Sequence, residues 1–165
     1  MSGFFVFKRP LFVYIKYVYI YITKPIIMNW KLIFQLSLFG LIMAFGTITL
    51  IPEKYEFIFW LVIFIFCSIV IAKTCSSKYF LHGFLVSIFN SVWITLAHVL
   101  FYNTYVLHHP DMAKMGDNMH MLQTHPRLLM LILSPIFGGI FGLFQGLFAF
   151  IASKIIKGPT PKALV

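Results

Sequence analysis

The chain has 165 residues, 61% of them hydrophobic and only 10% charged, with a formal net charge of +9. A soluble domain carries about 25% charge, so the composition argues against a soluble core and for bilayer hydrocarbon as the solvent. The Lys and Arg residues sit at the ends of apolar runs and not along a basic helix with interleaved aromatics. That placement argues against a nucleic-acid partner and for an anionic lipid surface.

Residues 1–27 are mostly Phe, Tyr, Ile, Val and Lys. Lys16 interrupts their apolar run and no A-x-A cleavage site follows, so the segment is a poor signal peptide. Two readings stand: an aromatic, basic extension lying at the membrane interface, or untranslated DNA upstream of a start at Met28.

Four apolar runs follow, at residues 32–51, 55–72, 79–102 and 128–153. Each is near or above the roughly 18 residues that cross a hydrocarbon core. Backbone groups in hydrocarbon must pair within their own segment, so each run is expected to be a helix. Together they form a transmembrane domain over 28–157, and residues 158–165 make a tail. Pro135, inside the fourth run, predicts a kink or a late helix start. The connections 52–54 and 73–78 are short, which predicts that consecutive spans pack as antiparallel neighbours. The third connection, 103–127, is the long one.

Charge sets the orientation. Lys8, Arg9, Lys16, Lys24 and Lys31 precede the first span, Lys73 and Lys78 bracket the middle link, and Lys154, Lys157 and Lys162 follow the last span. The other side holds Lys54, Lys114 and Arg127 with all four acids, Glu53, Glu56, Asp111 and Asp117. The positive-inside rule then puts both termini in the cytoplasm. The expected fold is an all-α membrane protein, a four-transmembrane-helix bundle running up-down-up-down.

Three features could carry more than packing. In the fourth run, Ser134, Gly138, Gly142 and Gly146 recur every four residues, a ladder that lets another helix backbone come close. It fits packing within one chain, or a face for a homo-oligomer; Gly40 and Ala44 form a weaker version in the first run. In the third run, Ser87, Ser91, Thr95, His98 and Tyr102 share one helix face, with Asn90 at its edge. Such a stripe avoids lipid. It reads as interhelical hydrogen bonding, or as a polar path with His98 as its titrating member.

The long connection is rich in thioether and imidazole: His108, His109, Met112, Met115, Met119, His120, Met121 and His125. These donors suit Cu(I), and Asp111 and Asp117 add oxygen ligands for a harder ion. A short amphipathic helix resting Met112, Met115 and Met119 on the membrane explains the same residues, although Gly116 weakens it. No cofactor is expected, with copper as the alternative. Cys67 lies in an apolar run and Cys75 in the polar link, with no CxxC between them.

Apart from Glu56 at the very start of the second run, the spans hold no Asp, Glu, Lys or Arg, and the chain has no HExxH, GxSxG, Walker A or dinucleotide fingerprint. It is therefore expected not to be an enzyme. The polar link Lys73–Lys78 with Tyr79-Phe80-Leu81-His82-Gly83-Phe84, the His109-Pro110-Asp111 segment and the Gly-rich last span ending Ala152-Ser153-Lys154 resemble a family of uncharacterised four-span bacterial inner-membrane proteins. The resemblance implies the same four-helix topology and no known activity. The leading expectation is a structural or interaction role, with a metal-handling protein and an oligomeric small-solute permease as alternatives.

Overall fold

The computed structural model describes residues 28–110 and 125–156, and these are all-helical, with no strand among them. In chain order the helices are α1 (Trp30–Thr49), α2 (Glu53–Thr74), α3 (Tyr79–Leu100), α4 (Tyr102–His108) and α5 (Pro126–Ile155). All but α4 are long and apolar enough to cross a membrane. Residues 1–27, which include the aromatic N-terminal extension, and the tail 158–165 lie outside the described residues.

Local chemistry sets the helix ends. Asn29 caps α1, its side chain accepting the Leu32 N–H at 3.1 Å. Pro52 separates α1 from α2, whose first turn carries Glu53 and Glu56 and whose last turn carries Lys73, the arrangement the helix dipole favours. Pro126 occupies the start of α5, where its missing N–H costs nothing. The helix then runs unbroken through Pro135, so the later start that this proline could have imposed is not taken. At 30 residues α5 is ~45 Å long, more than the hydrocarbon thickness. The third span closes at Leu100, and the chain turns into α4, which packs back against α1.

The helices do not choose partners by loop length. α3 packs mainly on α5 and α1, and α2 packs mainly on α5, so the order around the bundle is α1–α3–α5–α2. α1 and α2 meet narrowly, as where Phe39 and Phe66 stand edge to face at 5.3 Å. The short links join helices that touch each other but whose principal partners lie elsewhere. Close approach at small residues decides the pairing. A β-carbon on Gly138 would sit 2.7 Å from Ser91 Cβ, and one on Gly142 2.9 Å from the Phe84 ring, both on α3. On the opposite side of α3, a β-carbon on Gly40 would lie 2.8 Å from Asn90 Cα.

Contacts along α3 and α5 run Phe80 to Gly146, Phe84 to Gly142 and Ser91 to Gly138, so one numbering rises as the other falls. Between α1 and α3 they run Asn29 to His82, Gly40 to Asn90 and Thr47 to His98, rising together. The main apolar core lies toward one end, where Leu32, Ile33, Leu36, Cys67, Ile71, Cys75, Val86 and Ala149 meet. Burial there pushes the Cys75 thiol up to about 11.

The packing predicts a contrast between adjacent glycines. Gly138→Ala should lower the thermal stability of the detergent-solubilised protein by about 1–3 kcal/mol, whereas Gly139→Ala, whose β-carbon meets nothing within 4 Å, should leave it unchanged or slightly raised. Equal effects in thermal unfolding would contradict the α3–α5 contact.

Candidate functional site

The polar stripe of the third span does not line one surface. Ser87, Ser91 and Thr95 turn to α5: Ser87 Oγ donates to Gly138 O at 3.5 Å, Ser134 Oγ donates to Ser91 O at 3.2 Å, and Thr95 Oγ1 shares its one proton between Ser134 Oγ and Ser91 O. Ser91 Oγ itself donates to Ile88 O at 2.8 Å. Asn90 and His98 turn instead to α1. The Asn90 amide oxygen is buried with no conventional donor, pressed against Gly40. Tyr102 stands at the end of the bundle, with the Arg127 guanidinium 5.7 Å from its ring centre. The ladder residues Ser134, Gly138, Gly142 and Gly146 all meet α3 of the same chain.

A second cluster forms where α4 folds back. His98 stacks on Tyr105 with ring centres 4.0 Å apart, and Tyr105 stacks on His109 at 4.4 Å. Thr47 Oγ1 donates to Ala44 O, which leaves its oxygen to accept from His98 Nε2 at 3.1 Å. His109 Nδ1 donates to Tyr105 O at 3.1 Å, and its Nε2 is buried without a partner. The imidazole–phenol–imidazole stack lies where α4 packs back on α1, within reach of the charges of Glu53 and Glu56. Burial pushes the Tyr105 phenol up to about 12, with the charges of Glu56 and Glu53 adding to the shift.

The donors of the long connection are not gathered among the described residues. His108 is exposed, with Nδ1 donating to Thr104 O at 2.9 Å. His125 precedes α5 and lines an open cavity of about 550 Å³ with Tyr102, Asn103 and Arg127. Met112, Met115, Met119, His120 and Met121 lie outside the described residues, as does the amphipathic helix read there. Among the described residues no three of His, Cys, Asp and Glu are grouped as a metal ion would need.

Several groups with a structural part escaped the sequence reading. Gln145 is fully buried in α5, and its Nε2 donates to Ser68 Oγ at 3.1 Å and to Phe64 O at 3.3 Å on α2. It is the one side-chain amide in the run 128–153, next to Gly146, and that position was the available signal. Trp93 Nε1 donates to Ser37 Oγ at 3.1 Å, tying α3 to α1. Tyr105 gave no signal, because seven residues of α4 read as loop.

The raised phenol has a consequence at high pH. Tyr105 holds its proton more tightly folded than unfolded, so its contribution to stability is complete below about pH 10 and is lost as pH rises toward 12. In an ultraviolet titration, Tyr105→Phe should remove a late tyrosinate component near pH 12; a wild-type minus variant difference centred near 10 would contradict the buried stack.

No protein-family model, no curated protein and no solved structure matches this chain.

Proposed function

We propose that the chain is a multi-pass protein of the bacterial inner membrane with a structural or interaction role, its spans running up-down-up-down with both termini in the cytoplasm. The observation that carries this reading is where the polar groups of the spans go. Ser87, Ser91, Thr95 and Ser134 bond along α3 and α5, Gln145 bonds α2, and Trp93 bonds Ser37 on α1. These groups make a bundle and not a lined path. The outward side chains of the spans, among them Ile42, Phe57, Val62, Ile136 and Leu143, suit acyl chains or another apolar helix.

The contact register supports alternating directions. The charges support the sidedness, since Lys31, Lys73, Lys78 and Lys154 lie at one end and Glu53 and Glu56 at the other. The same reading fits the likeness to uncharacterised four-span inner-membrane proteins. The glycine ladder is covered by α3, so a second copy would dock on a lipid-facing surface instead.

One observation favours a second reading, Cu(I) handling. His108 and His109 each turn Nδ1 to a carbonyl four residues back, which leaves Nε2 with its lone pair free. A metal-binding imidazole is held in this way.

Two measurements test these readings. Purified protein in proteoliposomes should pass solutes and protons no faster than protein-free vesicles; a saturable flux would replace the structural reading with a permease. The full chain in nanodiscs, titrated with Cu(I) under reducing conditions, should lose binding on His108→Gln with His109→Gln if copper is its ligand. Wild-type binding no tighter than micromolar would end that reading.

A further inference from the structure

Four lysines gather at the end of the bundle away from Glu53 and Glu56. Lys31 opens α1, Lys73 lies in the last turn of α2, Lys78 precedes α3 and Lys154 lies in the last turn of α5. Among the described residues no acid lies with them, since Glu53 and Glu56 are the only described acids and both start α2. Like charges held at one end of a membrane protein repel, and an anion among them relieves that repulsion.

A cavity of about 410 Å³ opens at this end, walled by Asn29, Trp30, Thr74, Ser76, Ser77 and His82 together with Met28 and Cys75; the lysines neighbour these residues in the chain and are not themselves in its walls. Its floor is fixed. His82 is only 2% exposed; its Nε2 accepts the Asn29 N–H at 3.1 Å and its Nδ1 donates to Lys78 O at 2.9 Å. That ties the start of α1 to the start of α3. The rim carries three hydroxyls, and each rim segment has a lysine beside it in the chain: Lys31 after Trp30, Lys73 before Thr74, Lys78 after Ser77. Lys78 holds φ at 54°, the one positive value at a non-glycine among the described residues. A lysine adopts this left-handed backbone at a cost, and such positions gather where a structure serves a ligand.

We propose that this cavity binds the phosphodiester headgroup of an anionic phospholipid from the cytoplasmic leaflet. The proposal rests on the cytoplasmic placement given under Proposed function. The wall hydroxyls supply the hydrogen bonds that a phosphate oxygen needs, and long lysine side chains from the adjoining positions supply the charge. The occupant is a lipid and not a soluble phosphate because of where the cavity lies. It sits where α1 begins and α2 ends, at the level of the membrane interface. Trp30 stands beside it 57% exposed, as an interfacial ring does, and the same face of α1 continues through exposed Phe34 and Leu38. Acyl chains attached to a bound headgroup would lie along that face.

Native mass spectrometry of the full chain, released from nanodiscs holding equal phosphatidylglycerol and phosphatidylcholine, tests this. The wild type should retain phosphatidylglycerol over phosphatidylcholine by about tenfold. The triple variant Lys31→Gln, Lys73→Gln, Lys78→Gln should retain the two nearly equally, and the matching Arg triple should keep the preference. Ser76→Ala with Ser77→Ala should weaken it without touching any charge, which separates a built site from general attraction to anionic lipid. Equal retention by the wild type, or an unchanged preference in the Gln triple, would overturn the proposal. Displacement of the lipid by millimolar glycerol phosphate would mark a soluble-anion site and overturn the lipid assignment. Labelling of Ser76→Cys in intact and opened cells keeps the placement separate. A label that reaches Cys from outside overturns the placement itself. A label that reaches it only in opened cells, with no lipid preference, overturns the headgroup proposal alone.

Discussion

The close approach of α3 to α5 is the contact on which the rest of the structure depends. In hydrocarbon, apolar side chains gain little by leaving lipid for one another, so helices associate through van der Waals fit and hydrogen bonds. α5 removes side chains at Gly138, Gly142 and Gly146, and α3 answers with Ser91, Phe84 and Phe80. Gly83 returns the exchange, since a β-carbon there would meet Gln145 O at 2.6 Å. Backbones brought this near let short hydroxyls reach across. Ser87 and Ser134 can bond carbonyls of the neighbouring helix only because no larger residue holds the two helices apart.

The other helices are placed by what this pair leaves free. α3 offers α1 its opposite side, where Asn90 lies against Gly40 and Trp93 reaches Ser37. α5 offers α2 Gln145, whose Nε2 donates to the Ser68 hydroxyl oxygen and to the Phe64 carbonyl. Whereas the Asn90 amide oxygen has no donor, the Trp93–Ser37 and Gln145–Ser68 bonds would each cost more to leave unpaired than they gain when made. They therefore select partners more than they add stability, about 0.6 kcal/mol per bond in membrane helices. His98 joins this set from the far end, through Thr47 on one side and the Tyr105 ring on the other.

The sequence made the spans legible because hydrocarbon thickness is a hard length requirement, and runs such as 55–72 meet it without help from tertiary contacts. α2 and α5 extend past those runs by two residues at each end, where flanks such as Glu53 and Thr74 tolerate both helix and interface, while α1 and α3 end two residues early. Partner order was not legible. Helical period shows that Ser87, Ser91 and Thr95 share a face, but not that the face meets α5 while Asn90 at its edge meets α1. The fold-back of Tyr105 and His109 was hidden for a related reason. Nothing local in Tyr102–His108 distinguishes a surface loop from a helix whose burial depends on a distant Thr47 and His98. The cysteines divide the same way: Cys67 in its apolar run is buried, and so is Cys75, whose polar neighbours suggested an open loop.

Pulsed electron paramagnetic resonance between spin labels at Val92 on α3 and Ile136 on α5 tests the central contact most directly. Both positions face outward, at 48% and 56% exposure, and they lie level with the Ser91–Gly138 contact. With Cys67 and Cys75 replaced by alanine, the account predicts one narrow, short distance, which lengthens and broadens when Gly142→Ile is added. A broad distribution in the parent, or a narrow distance indifferent to Gly142→Ile, would contradict an α3–α5 interface set by small residues.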